Sequence, residues 1–133
     1  MNKIIKKYVN CFSNLKKKNI NILLFTIDEK FTFEDPFNKI QGKKEFQKLL
    51  EKMFNKIDKP KFEILWVHEH KLMAIIKWRF SCIIFRKKIS FLGISEIHIQ
   101  NNLVKKHIDY WDSGKNFYAN LPLIGWVFKR FNK

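Results

Sequence analysis

In the first half of the chain apolar residues recur at steps of three and four; in the second half they alternate with polar ones. Ile4, Ile5, Tyr8, Cys11, Phe12 and Leu15 form one stripe, which predicts a helix over 3–17. Residues 20–27 read as a short buried helix, and the alternation in Phe31-Thr32-Phe33-Glu34-Asp35, stopped by Pro36, as a short strand. Phe46, Leu49, Leu50, Met53, Phe54 and Ile57 lie on one face of a helix over 43–57, with Lys and Glu elsewhere. Beyond Pro60, the segments 61–70, 72–85, 88–100 and 103–112 are rich in Ile, Val, Phe and Trp and predict four strands. His70-Lys71 and Arg86-Lys87-Lys88 read as turns between them, and Asn101-Asn102 as a tight hairpin, because Asn tolerates positive φ. The apolar tail over 115–131 reads as a broken helix packed on the rest. Helices followed by a strand meander give an α+β domain with one sheet face buried against the helices.

A chain of 133 residues suits one domain, 1–133. Fourteen Phe and four Trp exceed what a minimal core needs, so some are expected to line a cavity. The net charge of +15 raises the question of an anionic partner. The excess is carried by 24 Lys against only Arg79, Arg86 and Arg130, scattered along the chain. Arg is the residue suited to planar recognition of phosphate, so nucleic acid is not the expected partner. The aromatic-basic end (Trp126, Phe128, Lys129, Arg130, Phe131) leaves binding to an anionic membrane surface as a weaker reading. Cys11 and Cys82 sit in apolar surroundings outside any CxxC pair, which predicts buried free thiols and a reducing, cytoplasmic setting. Neither a signal peptide nor a membrane span is expected. His68 and His70 share a strand face without an evident third ligand, so no metal is expected, and no phosphate loop or hydrolase elbow is present.

The ordered set Ile4-Ile5-Lys6-Lys7-Tyr8-Val9, the apolar run to Phe25, Phe31 through Asp35-Pro36-Phe37, Gly42 before a Phe46-containing helix, and a last hairpin ending His107-Ile108-Asp109-Tyr110-Trp111-Asp112 resembles the NTF2-like superfamily over about 3–112. The likeness is to its SnoaL-like and ketosteroid-isomerase-like members. It implies a cone-shaped fold, N-terminal helices packed on a strongly curved, mostly antiparallel sheet that encloses a pocket. It also implies that Asp35 falls at the general-base aspartate and Tyr8 at the tyrosine that donates to an enolate oxygen. Ser95 would stand where the ketosteroid isomerases keep a protonated aspartic acid, a departure that argues against steroid isomerisation itself. Relatives that hydrolyse limonene epoxide need an Arg between two acids, and no inward Arg is expected here.

The resemblance puts one face of 105–112 toward the cavity: Lys105, His107, Asp109 and Trp111. Alternation then carries Ala74, Ile76, Trp78 and Phe80, and Ser95, Ile97 and Ile99, to the same side, with His98 outward. Asp35, His107, Asp109 and Tyr8 are thus the candidate catalytic residues, and Trp78, Trp111, Ser95, Ile76, Phe80 and Ile97 the candidate substrate contacts. A carboxyl in an apolar pocket has a raised pKa and can abstract a proton or activate water, with a nearby His as relay. The expected function is a cofactor-independent isomerase, lyase or hydrolase acting on an apolar carbonyl or ring compound. The alternative is a non-catalytic ligand-binding or dimerisation module. A homodimer through the outer sheet face is expected in either case.

Overall fold

The computed structural model describes residues 1–112; the helix expected over 115–131 and the aromatic-basic end lie outside the described residues. Helix α1 spans Lys3–Ser13, α2 Ile20–Leu24 and α3 Lys43–Lys56. The strands are β1 Ile27–Glu34, β2 Lys39–Gln41, β3 Asp58–His70, β4 Met73–Ile84, β5 Lys87–Gln100 and β6 Leu103–Tyr110. They form one curved, open sheet in the order β2-β1-β6-β5-β4-β3. All neighbours are antiparallel except β1 and β6, which run parallel. Helices α1 and α3 pack on the concave face, touching β1, β3 and β6. No helix among the described residues is long and apolar enough to cross a membrane.

Helix α1 stops four residues earlier than its apolar stripe predicts, since Leu15 is buried without being helical. Two asparagines end it. The Asn14 amide donates to Asn10 O at 2.9 Å, Asn19 Nδ2 donates to Asn14 O at 2.9 Å, and Lys16 N donates to Asn19 Oδ1 at 2.7 Å. Such short polar side chains offer the backbone a competing set of bonds. Strand β1 begins earlier than expected, at Ile27, because Ile27 and Phe31 both enter the core while Asp28, Glu29 and Lys30 make an irregularity in the pairing with β6. Strand β2 is too short for a period to show.

Strands β4 and β5 bury every second residue, as the alternation requires, whereas β6 buries Val104 and His107, three apart, across an irregularity in its pairing with β5. In β3 a bulge between Ile64 and Trp66 shifts the phase. Phe62 and Ile64 pack on the core before it, Val67 after it, and Leu65 and Trp66 both face out. Cys82 is buried, whereas Cys11 is half-buried, less than its apolar context implied.

The β4–β5 turn is Phe85-Arg86, one residue earlier than expected, and both residues take positive φ (51° and 66°). The Asn101-Asn102 turn has the same character (54° and 61°) with residues that tolerate it. Phe85 is 82% exposed and gains nothing by packing. Replacing Phe85-Arg86 by Asn-Gly is therefore expected to raise stability by about 1–2 kcal/mol in urea unfolding, by removing strain from two left-handed positions.

Candidate active site

The inward face of β6 presents His107 and Asp109, and that of β5 presents Ser95 directly opposite Asp109. Trp78 on β4 is two strands over, and its Nε1–H donates to Ser95 Oγ at 2.8 Å. Ser95 Oγ in turn donates to Asp109 Oδ1. His107 Nε2 lies 2.5 Å from the same Asp109 oxygen, and Tyr8 of α1 places its hydroxyl 2.6 Å from His107 Nδ1. Burial, and then the negative charge of Asp109, push the Tyr8 hydroxyl well above its ordinary pKa. The Tyr8 proton therefore stays on oxygen, and His107 bridges Tyr8 and Asp109 through its two ring nitrogens. The result is a continuous chain from Tyr8 through His107, Asp109 and Ser95 to Trp78, its side chains drawn from α1, β6, β5 and β4.

Asp35 reaches the site from the end of β1. Its Oδ1 accepts from Phe37 N (2.8 Å), Asn38 N (2.7 Å) and Asn38 Nδ2 (3.1 Å), so it holds the Pro36–Asn38 turn as an aspartate before a proline commonly does. Burial dominates over these donors and raises its pKa to about 6, with the charge of Asp109 pushing the same way. Asn38 is itself buried, and its Oδ1 has no hydrogen-bond partner among the described residues.

Asp35 and Asp109 both line a cavity of about 50 Å³, walled by Phe12, Phe33, Phe46, Phe62, Trp78, Phe80, Phe91 and Trp111, with Leu49, Leu50 and Met53 from α3. One water needs roughly 10–15 Å³ on this measure, so the space suits a group of a few heavy atoms. A smaller cavity of about 20 Å³ adjoins it through Phe12, Phe62, Trp78 and Asp109, and is lined by Tyr8, Ile76, Ser95 and His107. Of the candidate residues, Asp35, Asp109, Trp78, Phe80 and Trp111 thus meet at the larger space, and Tyr8, His107, Ser95 and Ile76 at the smaller. Ile97 is fully buried in the core and lines neither. The Tyr8 hydroxyl is occupied by His107 and does not point at the larger cavity as a free donor.

Phe33, Phe46, Phe91 and the α3 aliphatics were not separable from ordinary core positions in the sequence. Phe33 sits two residues before Asp35 on β1, and that same-face spacing was the available signal. His68 and His70 are exposed, and no three metal-ligating side chains come together among the described residues. His98 is partly exposed and pairs with Glu96 at 2.5 Å, outside the cavity.

A curved sheet packed by N-terminal helices, with Asp35 and Asp109 beside an aromatic cavity, defines a protein of the cone-shaped α+β class. Residues 5–107 match the model of the SnoaL-like domain, and the chain belongs to that family. No curated protein matches the chain at a significant level. Among solved structures, a protein of ketosteroid-isomerase-like fold from Catenulispora acidiphila, in complex with trimethylamine, superposes with a TM-score of 0.75 at 11% identity, over 91% of this chain and 93% of that one. A limonene-epoxide-hydrolase-like epoxide hydrolase from M. tuberculosis gives 0.73 at 16% identity, over 95% and 91%. TerC co-crystallised with polyporic acid gives 0.77 at 9% identity, over 90% and 96%. At these identities the likeness is one of fold.

Proposed function

We propose that the chain is a small-molecule pocket protein that carries out cofactor-independent acid–base chemistry on an apolar carbonyl or ring compound. The observation that carries this is the convergence of Asp35 and Asp109 on one aromatic cavity. A carboxyl with a pKa of about 6 is close to the operating range of a general base at neutral pH. Asp35 takes the proton from carbon. Asp109, backed by His107 and Tyr8, is the partner through which a proton returns to the ligand, and Ser95 with Trp78 fixes its orientation. Neighbours of the same fold hold small organic molecules, trimethylamine in one and polyporic acid in another, which supports a ligand pocket here. The epoxide-hydrolase version finds no support, because no Arg lines the cavity among the described residues. The contact between two copies is assigned to the outer sheet face, where Leu92 and Tyr110 are 44% and 53% exposed, and the setting to the cytoplasm.

One observation favours the non-catalytic alternative. Asp35 already has a structural task, holding the Pro36–Asn38 turn. The test is a thermal-shift screen of lipophilic carbonyl compounds on wild type and Asp35→Asn, followed by exchange of the carbon acid into deuterated water. Catalysis predicts exchange in wild type that falls by about 10²–10⁴-fold in Asp35→Asn. Binding without exchange leaves a binding module, and a wild type that no compound shifts ends the pocket reading.

A further inference from the structure

The larger cavity has an unusual balance of charge. The chain as a whole carries +15, yet among the described residues that line this space the only charged groups are Asp35 and Asp109. No Lys or Arg pairs with either of them among the described residues. His107, the one basic neighbour among the described residues, has both ring nitrogens committed, to Tyr8 and to Asp109. Asp35 therefore faces an apolar volume and a second carboxylate without a counter-ion among the described residues. An ionised group in such surroundings is costly unless something compensates it.

The rest of the lining is suited to supply a seat for that compensation. Eight of its thirteen residues are aromatic, and aromatic ring faces are negative, so a cation close to several of them is attracted by all. The neighbouring donors are already engaged: Trp78 Nε1 with Ser95, Ser95 Oγ with Asp109, and Tyr8 with His107. An alkylated ammonium needs no donor. Its size also agrees with a space for a few heavy atoms.

Resting on the reading that this cavity is the ligand site, we infer that its ligand carries a small alkylated ammonium group, seated among the aromatic rings with Asp35 and Asp109 as its counter-ions. The cation supplies the charge that the described lining lacks, and the rings replace its hydration shell.

The test is calorimetric titration of the full chain with tetramethylammonium chloride, and separately with tert-butyl methyl ketone, a neutral carbonyl compound of similar branched shape. Sodium chloride at matched ionic strength is the control. The expected result is saturable binding of tetramethylammonium, weakened at least tenfold in both Asp35→Asn and Asp109→Asn, with ketone binding retained. Ketone binding without tetramethylammonium binding would overturn the cation and leave the pocket reading standing. Binding of neither probe would overturn both. Tetramethylammonium affinity unchanged in both variants would place the cation elsewhere on the protein and overturn the inference, and so would an equal response to sodium. Each carboxamide variant keeps one acceptor oxygen of the native group, and its thermal melt reports whether it is folded before titration.

Discussion

Gly93→Ala is expected to lower stability by about 3 kcal/mol, the upper end of what overpacking a core costs. Gly93 on β5 pairs with Trp78 on β4, and the indole lies flat across the space where a side chain would be. A Cβ added at this position would fall inside the van der Waals envelope of Cη2, Cζ2 and Cζ3 of that ring. The indole is a rigid plane and has little room to give way. Trp78 is 5% exposed, its edge rests against Phe62 and Phe91 at centroid distances of 6.0 and 6.2 Å, and its Nε1 is held by Ser95 at 2.8 Å. Displacing it gives up that hydrogen bond and with it one support of Asp109. Urea unfolding measures the loss, and tryptophan emission reports the movement. Trp78→Phe added to Gly93→Ala should recover part of the stability by shrinking the obstructing ring. A loss below about 0.5 kcal/mol in the single variant would mean that the indole does not occupy this position.

The second large effect concerns Asp35 and has a sign that depends on pH. Its carboxyl goes from 3.8 in the unfolded chain to about 6 in the folded one. The folded protein thus binds this proton more tightly than the unfolded chain does. Below about pH 4 both states are protonated and the group is neutral in its effect. As pH rises from about 4 to about 6 the unfolded state ionises first and stability falls; above about 6 the full loss is present. The shift corresponds to on the order of 3 kcal/mol. Asp35→Asn removes the ionisable group while leaving an oxygen that can still accept from Phe37 N and Asn38 N. The stability of Asp35→Asn relative to wild type is therefore expected to rise by on the order of 3 kcal/mol between pH 4 and pH 7. On the proposed mechanism the same substitution removes the general base, so the variant should be firmer at neutral pH and exchange-deficient by about 10²–10⁴-fold. Parallel urea titrations at the two pH values measure the difference, and a difference independent of pH would contradict the buried setting of the carboxyl.

The face assignments of β4 and β5 were legible because each buries one side only, so period two reports directly which residues enter the core; in β6 an irregularity breaks the period, and Lys105, expected inward, pairs with Asp28 instead. Trp78, Ser95, His107 and Asp109 were placed on a common side by that rule together with the family resemblance. The limits are equally physical. The bulge at Leu65 leaves no mark in a strand whose residues are apolar on both faces at that point. Strand β2 has three residues and exists because β1 offers it an edge. The end of α1 depends on hydrogen bonds from Asn14 to Asn10 and from Asn19 to Asn14, which are a matter of local geometry and not of period. In the candidate site, Phe33 and Phe46 carry the same apolar signal whether they fill a core or wall a cavity. The bond from Tyr8 to His107 joins residues 99 positions apart, and only the folded chain displays it.

The place of β6 has a consequence for synthesis. It is inserted between β1 and β5, so the N-terminal strand meets its parallel neighbour only when residues 103–110 have been made. Until then a nascent chain exposes β1, with its buried Ile27, Phe31 and Phe33, along an unpaired edge. A chain arrested on the ribosome before Leu103 should accordingly behave as a client for holding chaperones, while extension past Tyr110 and through the exit tunnel releases it. The hairpin of β5 and β6 acts as the closing step of biogenesis, and the wall bearing His107 and Asp109 is completed in that same step.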